Sequence, residues 1–119
     1  MQKGGVFLFK LEIIVREERV EEVIEALKGT GYPGLSIMSI EGRGQQNGIQ
    51  EQFRGRSYII PFLPKKKVEI LIREEDLEKV KNAVIKAART GEPGDGKIFV
   101  MPVVDVIRIR TGERGEGAI

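Results

Sequence analysis

Two stretches of this chain repeat apolar residues at helical spacing, and each lies between runs that are typical of strands. In the first stretch, Val20, Val23 and Leu27 recur at intervals of three or four positions, which predicts an amphipathic helix over residues 18–28. The second stretch predicts a helix over residues 74–90. The order strand, helix, strand therefore occurs twice, and this repetition restricts the chain to a few α+β architectures.

The predicted strands complete this order. Val68, Ile70 and Ile72 alternate with charged residues and Leu71, so they share one face of a strand. The predicted strands are 11–16 (with a start as early as Val6 also open), 35–42, 64–72 and 97–104, followed by an extended piece at 107–111. This order predicts an α+β, ferredoxin-like βαββαβ sandwich. Because that scaffold carries many activities, function has to be argued from particular residues.

Composition excludes several classes of site. The 119 residues suit one domain, 1–119, and contain no Cys and no His. A Ser-His-Asp triad, a Cys nucleophile and a Cys/His zinc site are therefore excluded. The net charge of +2 is too small for a strong nucleic-acid-binding field. No apolar run approaches the roughly 20 residues of a membrane span, so a cytoplasmic location without membrane insertion is expected.

A long excursion interrupts the pattern between the second and third strands. Residues 43–62 are rich in Gly, Gln and Arg, and loops of this length in compact domains are usually functional or disordered. The glycines from Gly42 to Gly48 do not form a dinucleotide fingerprint, since no helix follows them. Arg54 and Tyr58 are typical of docking surfaces. The alternative is an ordinary disordered insertion.

A glycine-rich loop follows the second helix. Gly91, Gly96 and Lys97 nearly match the phosphate-binding P-loop pattern, but Ile98 stands where that pattern needs Ser or Thr. The context is also reversed, with the helix before the loop. Glycines still allow backbone amides to approach an anion closely. The alternative is a plain turn with a solvated Lys97.

Two arginines near the end of the chain form the next candidate. In a strand, Arg108 and Arg110 would share a face, with Ile109 in the core. Paired guanidiniums suit a polyphosphate. The alternative is a pair of surface arginines that form ion pairs with Asp105 and Glu113.

Together these segments resemble the PII nitrogen-regulatory proteins of the GlnB and GlnK type, and they are more similar to the GlnK-type members. The matching blocks are 42–48, 53–65, 90–100 and 107–113. The resemblance implies a homotrimer with nucleotide sites in the clefts between subunits. It also divides the chain into an N-terminal extension (1–10), a T-loop (43–62), a B-loop (90–97) and a C-terminal segment (107–119).

The resemblance further implies a set of binding residues and no catalytic ones. Those implied for ATP or ADP are Ile14, Ser36, Gly42, Gly44, Gln45, Gln46, Leu71, Gly94, Asp95, Gly96, Lys97, Arg108 and Arg110. Those implied for 2-oxoglutarate are Gln46, Lys65 and Gly94, with Gln46 also a ligand of Mg²⁺ shared with ATP. Arg54 and Tyr58 match residues that dock on partners, and Tyr58 matches a residue that some bacterial members have modified.

Some positions depart from the family pattern. Gln45 stands where many members carry Arg, which implies that one phosphate contact is missing. Glu92 and Pro93 replace a common Lys-Ile pair, so the B-loop is less basic and stiffer.

The function implied is that of a non-enzymatic signal protein that binds ATP, ADP and 2-oxoglutarate. Its T-loop would control a nitrogen-metabolism partner such as an ammonium transporter or glutamine synthetase, and a transporter partner would recruit it to the membrane. Three alternatives stay open: a small nucleotide-hydrolysing or phosphoryl-transfer enzyme, an RNA-binding module, and a structural trimer without a ligand.

Overall fold

The computed structural model describes residues 8–32, 34–42, 49–53, 56–60 and 63–119. In chain order, the elements are β1 Leu8–Arg16, α1 Val20–Gly29, β2 Ser36–Gly42, β3 Ile49–Phe53, β4 Arg56–Ile60, β5 Leu63–Arg73, α2 Leu77–Ala88 and β6 Gly96–Val103. Residues 1–7, which make up most of the predicted N-terminal extension, lie outside the described ranges.

Four of the strands form one sheet in the order β2-β5-β1-β6. β5 and β6 each pair antiparallel with β1, and β2 pairs antiparallel with β5. β1 and β2 are therefore parallel and separated by β5, which is the arrangement of a split βαβ unit. The predicted ferredoxin-like fold is confirmed.

Both helices pack on one face of this sheet. The alternating residues Val68, Ile70 and Ile72 of β5 are buried, as the sequence predicts, and Leu27 of α1 and Val84 of α2 lie in the same apolar cluster. Burying a side chain of this size is worth roughly 1.5–3 kcal/mol. The opposite face of the sheet carries charged residues such as Glu12 and Lys67 together with apolar ones such as Phe99, which lies opposite Glu12.

Both helices begin later than their periodicity predicts. A 3-10 turn, Glu17–Arg19, precedes α1, and another, Glu74–Asp76, precedes α2. The residues before these turns make no side-chain cap, and a tighter first turn satisfies backbone groups that a cap would otherwise bind. α2 ends at Ala88 because Arg89 is extended.

The excursion between β2 and β5 contains two strands that the sequence did not predict. β3 and β4 pair antiparallel, with Ile49 opposite Ile60 and Phe53 opposite Arg56. They form a two-stranded sheet separate from the main one. Residues 43–48, 54–55 and 61–62 lie outside the described part of the chain.

The predicted extended piece at 107–111 is wrong. Ile107 forms an isolated bridge with Arg114, and the chain between them turns at Gly112, whose φ is +76°. Ile109, predicted to enter the core, is fully exposed at 101%. We name residues 105–115 the C-terminal hairpin.

Candidate functional site

The B-loop is organised around one carboxylate. Asp95 accepts hydrogen bonds from the backbone N–H of Thr90 at 2.8 Å and of Gly91 at 2.9 Å, and from the Thr90 hydroxyl. Arg16, at the end of β1, donates to the same carboxylate at 3.1 Å. These bonds join the end of the loop at Asp95 to its beginning at Thr90 and Gly91, and Arg16 connects it to the sheet.

The same bonds determine the protonation of Asp95. Partial burial alone would raise the pKa of its carboxyl group, but hydrogen bonds from Thr90, Gly91 and Arg16 outweigh this effect and hold the pKa well below its usual range. Asp95 is therefore a fixed negative charge, and the contacts described for it lie within the protein. It shapes the loop that the sequence assigns to phosphate binding.

Glycine conformation sets the path of the B-loop. Gly96 has φ of +110°, and a Cβ at this position would lie 1.7 Å from the Ile14 carbonyl oxygen. Gly91 and Gly94 also have positive φ, at +91° and +98°. Only glycine adopts such conformations readily. The turn therefore presses directly against β1 next to Ile14.

A buried cation lies under the loop. Lys65 of β5 is only 6% exposed, and its Nζ donates to the Gly94 carbonyl oxygen at 2.5 Å. Arg16 donates to the Pro93 carbonyl oxygen at 2.7 Å. Burial, followed by repulsion from the Arg16 guanidinium, lowers the pKa of Lys65. The structure thus brings together Lys65 and Gly94, both of which were assigned to 2-oxoglutarate.

A cavity of about 420 Å³ opens beside the B-loop, between β6 and α2. Four of the residues implied for nucleotide binding line it: Ile14, Asp95, Gly96 and Lys97. Val84, Ile85 and Ala88 of α2 provide an apolar wall. The cavity therefore combines apolar surface with a glycine-rich turn and a cation.

Ser36 and Leu71 lie together in a second cavity, also of about 420 Å³, on the other face of the sheet. Within one chain, Ser36 and Leu71 therefore lie in a different cavity from Ile14, which lines the cavity beside the B-loop. Lys10 and Glu69 line this second cavity, and the sequence interpretation did not select them. The sequence feature that could have found them is the alternation of charged residues with apolar ones along β1 and β5.

Lys10 and Glu69 belong to an ion network on that face. Lys10 lies 3.2 Å from Glu12 and 3.4 Å from Glu69, and Lys67 lies 3.5 Å from Glu69. Hydrogen bonds to Glu12 and then Glu69 raise the pKa of Lys10. Alternating charges on neighbouring strands thus balance one another across the sheet.

Within one chain, the predicted phosphate-binding cations do not converge. Lys97 pairs with Ile14 at one end of β6, whereas Val103 pairs with Leu8 at the other end. Six residues of strand span about 20 Å, and Arg108 and Arg110 lie beyond that far end. Arg108 instead pairs with Glu113 at 3.2 Å.

The predicted surface alternative for these arginines holds in part. Arg108 pairs with Glu113 as that alternative proposed, but the Asp105 carboxylate pairs with Arg114. Convergence of the three cations would therefore require Arg108 and Arg110 from a second copy of the chain.

Comparison with known proteins identifies the family. The model of the family described as nitrogen regulatory protein P-II matches residues 8–113, which include β1, the B-loop and the paired arginines. The chain belongs to the P-II family. The family is described as one of nitrogen regulatory proteins, and the resemblance found in the sequence is confirmed.

Individual P-II proteins match over most of their length. Nitrogen regulatory protein P-II 1 of Methanothermobacter thermautotrophicus is 49% identical over 110 residues, which cover 92% of this chain and 96% of that protein. The P-II protein of Rhizobium meliloti is 47% identical over 92% of this chain and 98% of its own length. A crystal structure of Arabidopsis thaliana PII bound to citrate matches with a TM-score of 0.76 and 40% identity, covering 98% of this chain and 94% of that one.

Several residues assigned by resemblance to P-II proteins fall outside the described ranges. These are Gly44, Gln45, Gln46 and Arg54. Gly42 ends β2 opposite Leu63, and Tyr58 lies in β4 opposite Glu51. Neither α-helix in the described part of the chain has the length and apolar character needed to span a bilayer.

Proposed function

We propose that this P-II chain is a nitrogen-regulatory signal protein that senses ATP or ADP and 2-oxoglutarate. Three copies assemble, and a nucleotide binds in each cleft between them with its phosphates at the B-loop. The T-loop then controls a nitrogen-metabolism partner. The observation that carries the proposal is the preformed B-loop, with Lys65 buried beneath it and a cavity beside it.

The B-loop supplies what a phosphate chain requires. Backbone with positive φ at Gly91, Gly94 and Gly96 lets amides approach an anion without interference from a Cβ. Lys97 adds a charge at the cavity wall. A cavity of this size lies within the roughly 300–1,000 Å³ range of small-molecule sites. Because the loop is already ordered, nucleotide binding would not have to fix its conformation.

A second copy would complete this site. Arg108 and Arg110 lie too far from Lys97 in one chain to reach the same phosphates. Val104 and Ile109 are 84% and 101% exposed, and apolar side chains concentrated in one segment favour burial against a partner. Assembly into the homotrimer implied by the family would cover them and place the arginines across the cleft.

The Lys65–Gly94 bond supports a site for a polycarboxylate. A buried ammonium needs a partner, and Lys65 has a neutral carbonyl where a carboxylate would bind more strongly. The crystal structure of the Arabidopsis relative is of a complex with citrate, a tricarboxylate. We assign 2-oxoglutarate to this position, beside Mg²⁺-ATP, with Gln46 as the metal ligand that the chain supplies.

The T-loop is the proposed docking arm. β3 and β4 pair with each other and not with the main sheet, so a partner could bind them without disturbing the core. Arg54 and Tyr58 are the assigned contacts, and Tyr58 is the assigned site of modification. The partner class is an ammonium transporter or glutamine synthetase. The protein would act in the cytoplasm, and a transporter would recruit it to the membrane.

Calorimetric titration tests nucleotide binding. The wild-type protein should bind ATP and ADP with Kd on the order of micromolar, about −8 kcal/mol. Lys97→Gln should weaken ATP binding by about tenfold, since a charge-assisted bond is worth roughly 1.5–3 kcal/mol. Lys86→Gln, which removes an exposed lysine of α2, is the matched control. No binding of either nucleotide at about a thousand times the expected Kd would overturn the proposal.

A second titration separates the effector site from the nucleotide site. With Mg²⁺-ATP present, the wild-type protein should bind 2-oxoglutarate and Lys65→Gln should not, while both should still bind ATP. Lys66→Gln, on the adjacent β5 residue, is the control. Phosphate release should be measured in parallel, because turnover faster than about one per second would indicate a phosphoryl-transfer enzyme instead.

A further inference from the structure

The end of the chain is attached to the body of the protein through Glu116. Its carboxylate accepts a hydrogen bond from Nε of Arg73, the last residue of β5. The Nη1 atom of Arg73 also donates to the Tyr32 hydroxyl at 3.3 Å, and its backbone N–H donates to the same oxygen at 3.1 Å. The Tyr32 hydroxyl in turn donates to Asp76.

These bonds fix Arg73 against the core. Tyr32 is 9% exposed and belongs to the apolar core cluster, and Asp76 immediately precedes α2. The Tyr32 hydroxyl therefore joins the loop after α1 to the start of α2, and Arg73 is bound to it through both backbone and side chain. These bonds position the Arg73 guanidinium, which also donates to Glu116.

Glu116 directly follows the C-terminal hairpin. The hairpin is cross-linked by the Ile107–Arg114 bridge and by a bond of 2.9 Å from the Gly115 N–H to the Val106 carbonyl oxygen. Fixing the chain at Glu116 therefore fixes the base of the hairpin as well. The position of its exposed end, which carries Arg108 and Arg110, follows from that base.

We propose that Arg73 and Glu116 form a positioning clamp for the C-terminal hairpin, and that the clamp sets where Arg108 and Arg110 are presented to a nucleotide bound on a neighbouring copy. The second part rests on the proposed function. The two residues act through the hairpin and do not themselves contact the nucleotide. Loss of the clamp should leave the fold intact and weaken contacts to the phosphates.

Trypsin cleavage tests the clamp without a nucleotide. Arg108, Arg110 and Arg114 are cleavage sites within the hairpin, and local opening exposes them. Glu116→Gln should increase their cleavage rate by about fivefold, the upper range for a half-exposed ion pair. Glu25→Gln, which breaks the exposed Glu25–Lys28 pair at 3.7 Å, is the control and should leave the rate unchanged. An unchanged rate in Glu116→Gln would overturn the clamp.

Nucleotide titration tests what the clamp positions. Glu116→Gln should raise the Kd for ATP by about fivefold and the Kd for AMP by less, because AMP offers the arginines fewer phosphates. A general loss of structure would weaken both alike and would lower the unfolding temperature. If the wild-type protein binds ATP and Glu116→Gln binds it equally well, the positioning role is refuted. If the wild-type protein binds no nucleotide, the proposed function fails, and cleavage rates alone decide whether the clamp exists.

A double-mutant cycle links the two residues. Arg73→Gln should reproduce the faster cleavage of Glu116→Gln, and the double variant should be cleaved no faster than either single variant, since the shared interaction is lost only once. If the rate increases of the two single variants multiply in the double variant, the residues act separately and the clamp is refuted.

Discussion

The B-loop and the C-terminal hairpin both carry cations assigned to phosphate, but they are stabilised in different ways. The B-loop is complete within one chain: Asp95 closes it, Arg16 attaches it to β1, and Gly96 fits against the Ile14 carbonyl. The hairpin is bonded mainly to itself, and Ile109 at its turn is fully exposed. Under the proposed function, one half of the nucleotide site is preformed in each chain, and a neighbouring copy would supply the other half.

The largest effect should come from Gly96→Ala. Its Cβ would overlap the Ile14 carbonyl oxygen at 1.7 Å, and its φ of +110° is unfavourable for alanine. We expect the free energy of unfolding to fall by about 3 kcal/mol or more, measured by urea denaturation. Gly91→Ala is the control, because it has φ of +91° but no atom within 4 Å of a Cβ. It should cost about 1–2 kcal/mol. Equal losses would show that packing against β1 does not define the B-loop.

Asp95→Asn should have the next largest effect. An amide cannot accept all the bonds that the carboxylate receives from Thr90, Gly91 and Arg16, and we expect a loss of about 2 kcal/mol at pH 7. Because its folded pKa lies below 3.8, the contribution of Asp95 is present above about pH 4 and is lost as the pH falls further.

Unfolding of Asp95→Asn and the wild-type protein should therefore be compared from pH 7 down to about pH 2, and the difference should shrink only below about pH 4. Asp105→Asn is the control in the hairpin. It should lower the free energy of unfolding by less, because the Asp105 carboxylate binds Arg114 within a segment that is exposed in one chain. A larger loss of stability in Asp105→Asn than in Asp95→Asn would show that the hairpin, and not the B-loop, is the more strongly stabilised segment.

Local patterns predicted the B-loop better than the hairpin, for a physical reason. Glycine spacing around Lys97 reports directly on backbone conformation, and the alternation of Val68, Ile70 and Ile72 reports on a core within the same chain. The alternation of Ile107 and Ile109 resembles that of a core strand. It led to the wrong prediction of a strand, because alternation with a period of two residues does not show that the same chain provides a surface against which the apolar side chains can be buried.

Contacts between distant positions were also hidden from the sequence. Lys65 lies in a run of three lysines that is typical of a solvated surface, but it is buried and donates to Gly94, 29 positions away. The Tyr32–Arg73 and Arg73–Glu116 bonds span 41 and 43 positions. The pairing of β3 with β4 was missed because polar residues there obscure the strand alternation.

Ile109→Ser tests whether the hairpin is completed by a second copy. If another copy buries this side chain, the substitution should weaken assembly by about 1.5 kcal/mol per subunit and leave the helix content of each chain unchanged. Sedimentation velocity would measure the shift from trimer toward monomer, with Ile109→Val as the control that preserves apolar surface. A wild-type protein that sediments as a monomer would contradict the idea that a second copy covers the hairpin.

The smallest effect concerns the cation that the B-loop covers. Because burial lowers the pKa of Lys65 below its ordinary value of 10.5, the unfolded chain binds more protons than the folded one just below pH 10.5. The contribution of Lys65 to the free energy of unfolding should therefore rise with pH through that window and level off above it. Lys65→Gln removes this titration, so the wild-type protein should gain stability relative to the variant as the pH increases, whereas Lys66→Gln retains Lys65 and should follow the wild-type curve. A flat difference between the wild-type protein and Lys65→Gln would mean that Lys65 is hydrated in solution, and the B-loop would then be as open as the hairpin.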